Sequence, residues 1–256
     1  MDAIRLEGIS KSFSGKKKPV LKNLNLVFPR EKLTYILGAS GAGKSVLLKH
    51  ILGLLRPDEG EIWIENVALS QMNSHQLFEM RLRFGVLFQN SALFDSMTVL
   101  ENIVFPLREH TDLHEREILQ KAKKTLSILG LEDGWDQYPN ALSGGMRKRV
   151  GLARAIIREP SILLYDEPTS GLDTVTRGTV DELIETLKRE LQLTSVVISH
   201  DICSALLLAD CIAFLSEGRV VFFGTPKEFR LNPHPEIQKF LHAERRAASV
   251  FQRDFI

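Results

Sequence analysis

GASGAGKS, residues 38–45, is the stretch that decides the fold. It fits the pattern G-x-x-x-x-G-K-[ST]. In that pattern glycines let backbone N–H groups wrap a phosphate, the lysine reaches the β- and γ-phosphates, and the hydroxyl ligates Mg²⁺. Lys44 and Ser45 take the last two roles. The mechanism requires a strand before the loop and a helix after it. KLTYILG (32–38) is a short apolar run ending in glycine. Beyond the loop, Val46, Leu47, His50, Ile51 and Leu54 are spaced for one helical face.

Strand patterns continue on either side. In LKNLNLVF (21–28), Leu24, Leu26 and Phe28 share a face, and Ile62 and Ile64 do so in EIWIEN (61–66). Between 91 and 160 no strong strand pattern occurs. HEREILQKAKKTLSILG (114–130) instead has an apolar helical stripe of Ile118, Ala122, Leu126 and Leu129, with Gly130 as its stop. Strands return in SILLYDEP (161–168), TSVVISH (194–200), CIAFLSEG (211–218) and GRVVFFGTP (218–226). Helical patterns at 175–190 and 201–209 lie between them, and a charged helix is predicted near 235–248. Strands alternating with helices argue for a parallel sheet covered on both faces, interrupted by a helical insertion.

Composition narrows the function. The 256 residues include 33 basic and 32 acidic side chains, a net charge of +1. That balance gives no support for bulk electrostatic binding of nucleic acid. Cys203 and Cys211 lack metal-ligand spacing and read as core thiols of a reducing cytoplasm. No apolar run approaches the roughly 18 residues of a membrane span, and MDAIRLEGIS is no signal peptide. A soluble intracellular polypeptide is expected, whose membrane role would come through a partner.

Further candidates lie at strand ends. SILLYDEP runs an apolar strand into Asp166, a natural Mg²⁺ partner, and Glu167 follows as a general base or water-orienting group. Such an acidic pair alone could be a solvated turn, but beside a phosphate loop the chemical reading is the stronger. His200 ends VISH and could hydrogen-bond the γ-phosphate, although a lone histidine after a strand is more often structural. Gln89 ends FGVLFQ (84–89), where it suits Mg²⁺ or the attacking water, or is a plain strand terminus. LSGGMRKRV (142–150) supplies a second anion site on the insertion: Ser143 can cap a helix whose positive end carries Gly144 and Gly145.

In chain order, GASGAGKS, LSGG, SILLYDE, SGLD (170–173) and the histidine of VISHD resemble the ATP-binding cassette (ABC) ATPases over nearly the whole chain. The resemblance implies an α/β P-loop ABC ATPase fold with an antiparallel β subdomain and a helical subdomain insertion. It implies one domain, 1–241, with a RecA-like core (1–89 and 161–225), a helical subdomain at about 90–160, and a tail at 242–256. ATP and Mg²⁺ are the implied ligands. Nucleotide contacts would fall to Gly38, Ala39, Ser40, Gly41, Ala42, Gly43, Lys44, Ser45 and Val46. Ser45, Gln89 and Asp166 would serve the metal, and Glu167, His200 and Gln89 the hydrolysis. Phe13 in KSFSG matches the family's adenine-stacking aromatic, a position that packing alone could also explain. Two copies would face head to tail, so that Ser143, Gly144 and Gly145 contact the γ-phosphate across the interface. Asp173 would belong to the loop linking the two sites.

One cassette without a span implies separate integral membrane permease subunits and a peripheral place on the cytoplasmic face of a bacterial inner membrane. FGVLFQNSALFDSMTVLENIVFPLREHT (84–111) lies where this family grips its membrane partner. SALF, TVLENIVFPLREHT and LSGGM, with Met146 where many members have Gln, are similar to the Mce-associated lipid transporters, including the Mla phospholipid system. An Mce-domain periplasmic protein and accessory subunits are then the implied partners. SGLD keeps the family's general form, whereas some Mla ATPases differ there. Alternatives are an importer of a small polar solute, a lipoprotein extractor, a non-transport ABC protein and a purely structural nucleotide binder. The third usually needs a coiled-coil insertion or linked cassettes, and intact Lys44, Asp166, Glu167 and His200 speak against the fourth. Val250, Phe251, Phe255 and Ile256 could dock the tail on a neighbouring subunit, a frayed tail being the other reading.

Overall fold

A computed structural model describes residues 2–15 and 18–242, so Lys16, Lys17 and the tail residues Val250, Phe251, Phe255 and Ile256 lie outside the described residues. The chain forms two compact units, one from residues up to Leu77 together with those from Ile198 onward, the other Phe78–Val197.

The first unit holds an antiparallel sheet in the order β2-β1-β4-β5, from β1 (Asp2–Lys11), β2 (Leu21–Pro29), β4 (Glu59–Ile64) and β5 (Val67–Ala68). Leu6 of β1 pairs with Leu26 on one side and Ile62 on the other. The predicted alternation holds: Leu24, Leu26, Phe28, Ile62 and Ile64 are buried. Strand β3 (Leu33–Leu37) is buried at every residue, as expected for a parallel strand covered on both faces. It pairs in parallel with β9 (Cys211–Ser216), which pairs antiparallel with β10 (Arg219–Gly224). Helix α1 (Lys44–Ile51) follows β3 after the glycine loop, and α7 (Ile202–Leu208) and α8 (Pro226–Leu231) complete the unit's labelled elements. Phe229 of α8 is buried between the rings of Phe214 and Phe222.

Two expectations fail here. Helix α1 ends at Ile51 because Gly53 takes a left-handed φ of 63°, which turns the chain and leaves Leu54 54% exposed. The cysteines are not core thiols: Cys203 is exposed and Cys211 half-buried. Ile202, Ser204 and Ala205 take the inward positions of α7, so Cys203 faces out. Between β10 and the predicted charged helix lies α8. Thr225 caps it, accepting the Glu228 N–H, with Pro226 at the first turn where its missing N–H costs nothing. The expected charged helix opens at residue 235.

The boundary between units falls within α2 (Ser74–Arg81) at one end and β8 (Thr194–Ile198) at the other. In the second unit β6 (Phe84–Leu87) and β7 (Ile162–Asp166) pair in parallel, Val86 opposite Leu164. Between them, among the described residues, stand helices and no strand: α3 (Val99–His110), α4 (Glu115–Ile128) and α5 (Gly144–Ile156). A reciprocal capping box of Thr98 and Glu101 opens α3. Helix α4 buries Ile118, Ala122 and Leu126, and Gly130 at φ 60° follows it, matching the predicted stripe and stop. Helix α6 (Thr174–Leu191) leads to β8.

Candidate active site

In the first unit the glycine loop joins the buried end of β3 to α1. Its tight path is dictated by close neighbours. A Cβ on Gly38 would lie 2.3 Å from the Leu215 carbonyl oxygen, and one on Gly43, at φ 107°, 2.8 Å from Leu21 Cδ2. No side chain caps α1 and its first turn holds no acidic residue. A helix start of that kind, with its positive dipole end, accepts an anion. The buried Lys44 ammonium donates to the carbonyls of Gly38 (2.6 Å) and Ala39 (3.2 Å), which keeps it folded against the loop. Ser45 beside it is exposed, and Val46 half-buried. These residues fit a nucleoside triphosphate: backbone donors, a cation and a hydroxyl on one turn.

His200 lies two residues beyond β8 and is exposed. Asp201 after it caps α7, accepting the Ser204 N–H. Phe13 is half-buried, with the Lys11 ammonium 5.7 Å from its ring centroid. Lys11 and the Ser12 N–H both donate to Asp58, at 2.6 and 2.7 Å. The Lys11 contact is the main cause that holds the Asp58 carboxyl below its ordinary range. Asp58 thus fixes the strand end that presents Phe13, and no sequence pattern marks it.

In the second unit Asp166 closes β7, and Glu167 follows with its backbone at φ 49°. Left-handed backbone is sterically costly for a residue with a side chain and persists where its surroundings impose it. Gln89 is exposed, two residues past β6, and its Nε2 approaches Ser170 Oγ at 3.4 Å. Asp173 is committed as the N-cap of α6. Its carboxylate accepts the Val175 and Thr176 N–H groups and the Thr176 hydroxyl, and those bonds from Thr176 hold its pKa low. Ser143 caps α5 as predicted, accepting the Met146 N–H at 3.2 Å. Gly144 is half-buried. Gly145 is buried, and a Cβ there would meet Thr176 Cγ2 at 2.5 Å, so this glycine also serves close packing of α5 on α6.

The sequence reading missed the underside of this cluster. The buried Lys148 donates to the carbonyls of Gln89 (2.5 Å) and Glu167 (3.3 Å). Burial lowers its pKa, against the opposing pull of the Asp166 and Glu167 carboxylates. Arg154 donates to the carbonyls of Ser91 and Ala92, both at 2.8 Å. Both stand among other basic residues, and no sequence pattern separates them from solvated cations.

An open groove of about 400 Å³ borders the same helix, lined in part by Phe84, Phe88, Phe94, Phe105, Pro106 and Arg154. Phe94 and Phe105 pack at 5.0 Å between centroids, and the Arg154 guanidinium lies 5.7 Å from the Phe94 ring. Phe88 and Phe94 are exposed. Most of the groove's lining comes from the 84–111 stretch and α5, the rest being Arg81, Leu82 and Arg158.

Among the described residues no cluster of three or more His, Cys, Asp or Glu side chains could cage a metal. Among the same residues no helix is long and apolar enough to cross a membrane.

Residues 21–170 match the protein family described as ABC transporter. The chain is 38% identical over 243 residues to the probable ribonucleotide transport ATP-binding protein mkl of Mycobacterium leprae, covering 95% of this chain and 70% of that one. It is 38% identical over 230 residues to the intermembrane phospholipid transport system ATP-binding protein MlaF of Escherichia coli K12, covering 90% and 86%. A dimeric ATP-binding cassette solved in a post-hydrolysis state with ADP and Pi superposes with a TM-score of 0.79 at 32% identity, covering 87% of this chain and 98% of that one. CbiO1 from Clostridium perfringens, part of the ABC transporter complex cbiONQ, superposes with a TM-score of 0.83 at 29% identity, covering 98% and 99%.

Proposed function

The chain belongs to the ABC transporter family and has its P-loop ATPase fold, and from that premise we propose that it hydrolyses ATP to move phospholipid between inner and outer membranes. The observation that carries the cargo is the likeness to MlaF, which extends over 86% of that protein.

The roles follow unit by unit. In the first, the amides of Gly38, Ala39, Ser40, Gly41, Ala42, Gly43 and Val46 cradle the phosphates. Lys44 leaves the Gly38 and Ala39 carbonyls for the β- and γ-phosphates, and Phe13 stacks on adenine. Ser45 is a Mg²⁺ ligand, and His200 holds the γ-phosphate. In the second, Asp166 and Gln89 supply further oxygens for Mg²⁺, and Glu167 takes the proton of the attacking water or orients it. Held by these residues, Mg²⁺ would neutralise charge on the transferred phosphate.

The working unit is a homodimer, in which Ser143, Gly144 and Gly145 of one copy contact the γ-phosphate held by the other, and Asp173 belongs to the loop linking the two sites. The start of α5 supports that role: Ser143 takes only the Met146 N–H, and the first turn holds no acidic residue. The aromatic groove receives a segment of an integral permease subunit. An Mce-domain periplasmic protein and accessory subunits complete the assembly, and the cassette sits at the cytoplasmic face of the inner membrane.

A second reading has one observation in its favour, the ribonucleotide named for the mycobacterial relative. Affinity purification from native membranes, followed by lipid analysis and partner identification, separates the two. Co-purified phospholipid with an Mce-domain protein supports the proposal. A solute-binding protein without either would overturn it.

A further inference from the structure

We propose that Lys148 is a positioning residue for hydrolysis, fixing the backbone of Gln89 and of Glu167 to the helix that Ser143 caps. The inference rests on the roles just proposed for Gln89 and Glu167.

The geometry supplies a reason for a buried ammonium at this place. Lysine has three N–H donors and no acceptor. Two of them go to backbone carbonyls, of Gln89 at 2.5 Å and Glu167 at 3.3 Å. Bonds from a charged donor are roughly twice as strong as neutral ones, and burial removes water as a competitor. Both targets need holding. Glu167 has the left-handed φ of 49°. Beyond Gln89, Ser91 and Ala92 are left-handed as well, at φ 58° and 47°. Side-chain-bearing residues do not rest there unless their surroundings over-determine the backbone.

One face of α5 does so. Lys148 and Gly151 are i, i+3 neighbours on this helix, as are Gly151 and Arg154. Lys148 holds the Gln89 carbonyl and Arg154 the carbonyls of Ser91 and Ala92. Gly151 lets the backbone of this loop come close: a Cβ there would lie 3.0 Å from Ser91 Cβ. The same helix therefore carries the Ser143 turn at its start, the Gln89 and Glu167 carbonyls one turn in, and the groove-lining Arg154 near its end. A shift of α5 moves both hydrolytic residues together, with Lys148 as the tie.

The test uses the ATPase in complex with its membrane partner. Lys148→Met removes the donors at nearly constant length, and Lys148→Arg keeps a charged donor. Misplacing reacting groups by about 1 Å costs up to about 100-fold in rate, so kcat of Lys148→Met is expected to fall about 10- to 100-fold. Its KM for ATP should stay within about twofold, since the phosphate loop is untouched. Lys148→Arg should recover most of the rate. Wild-type kcat in Lys148→Met would overturn the proposal. So would a loss of rate, ATP affinity and thermal stability together that Arg does not rescue, which marks a packing role. Glu167→Gln in the same preparation separates the two levels. A slow Glu167→Gln beside a fast Lys148→Met sinks the Lys148 inference alone, whereas a fast Glu167→Gln removes the reading beneath it.

Discussion

Asn102 holds both backbone groups of Phe94. Its Oδ1 accepts the Phe94 N–H at 2.8 Å, and its Nδ2 donates to the Phe94 carbonyl at 3.0 Å. Nδ2 also reaches the carbonyls of Met97 and Thr98. Asn102 is fully buried, so its removal takes the acceptor from the Phe94 N–H, whereas the Phe94 and Thr98 carbonyls keep the backbone N–H groups of Met97 and Asn102. Each buried group so orphaned costs about 1–3 kcal/mol. Asn102→Ala is expected to lose about 2–3 kcal/mol in urea unfolding. Because Phe94 then loses its fixed position in the groove, capture of the permease subunit should weaken while ATP binding holds. Equal permease capture by the two proteins would separate Asn102 from the groove.

Ser143 combines two duties that one variant can resolve. Ser143→Ala removes the cap of α5, worth about 1 kcal/mol, and with it the hydroxyl proposed to meet the γ-phosphate. Turnover should fall well beyond what that loss of stability explains, whereas Ser143→Asn, another capping residue, should restore stability but not rate. Denaturant midpoints and ATPase rates, measured on the same samples, check both halves.

Gly151 has no room for a side chain. A Cβ would sit 2.9 Å from Leu87 Cδ1 and 3.0 Å from Ser91 Cβ. Overpacking of this kind costs about 1–3 kcal/mol. Gly151→Ala should therefore lower the unfolding midpoint, and ATPase activity should fall with it because the displaced loop carries Gln89. An unchanged midpoint would mean that the Ser91 turn gives way freely.

Glu167→Gln keeps the shape of the side chain and removes its basicity. General-base catalysis is worth about 10²–10⁴-fold, so turnover should fall by at least about 100-fold. ATP should still bind, trapping a closed dimer visible as a shift in size-exclusion chromatography with ATP and not with ADP.

The parts of this protein that were legible in advance are those written in local pattern. The alternation of Leu24, Leu26 and Phe28, the stripe of Ile118, Ala122 and Leu126, and the glycine loop before Lys44 each follow from a repeat or a steric need that a short stretch encodes. Leu54 misled because apolar spacing continued past the point where Gly53 ends the helix. Cys203 misled because apolar neighbours do not say which side of a short helix faces inward. Lys148, Arg154 and Asp58 were invisible for a different reason. Their partners are carbonyls or amides 19 to 63 residues away, and a charged side chain looks the same in sequence whether water or a backbone turn receives it.

Asp58 offers a pH-dependent test of the first unit. Its carboxylate accepts from Lys11 and from the Ser12 N–H, and these bonds hold its folded pKa below the ordinary value. A depressed carboxyl pKa contributes stability that is fully present above the usual carboxylate range and is lost as pH falls through the folded value. Asp58→Asn keeps the shape but loses the charge, so it should be less stable than the wild type at neutral pH. As the wild-type carboxyl takes up its proton in acid, the gap between the two should close. Urea midpoints measured from neutral pH down through the carboxylate range would show convergence. Parallel curves would mean that the Lys11–Asp58 pair, exposed as it is, adds nothing to the fold. Because the same carboxylate anchors Ser12 beside Phe13, weaker binding of ATP with little change in kcat should accompany the stability loss in Asp58→Asn.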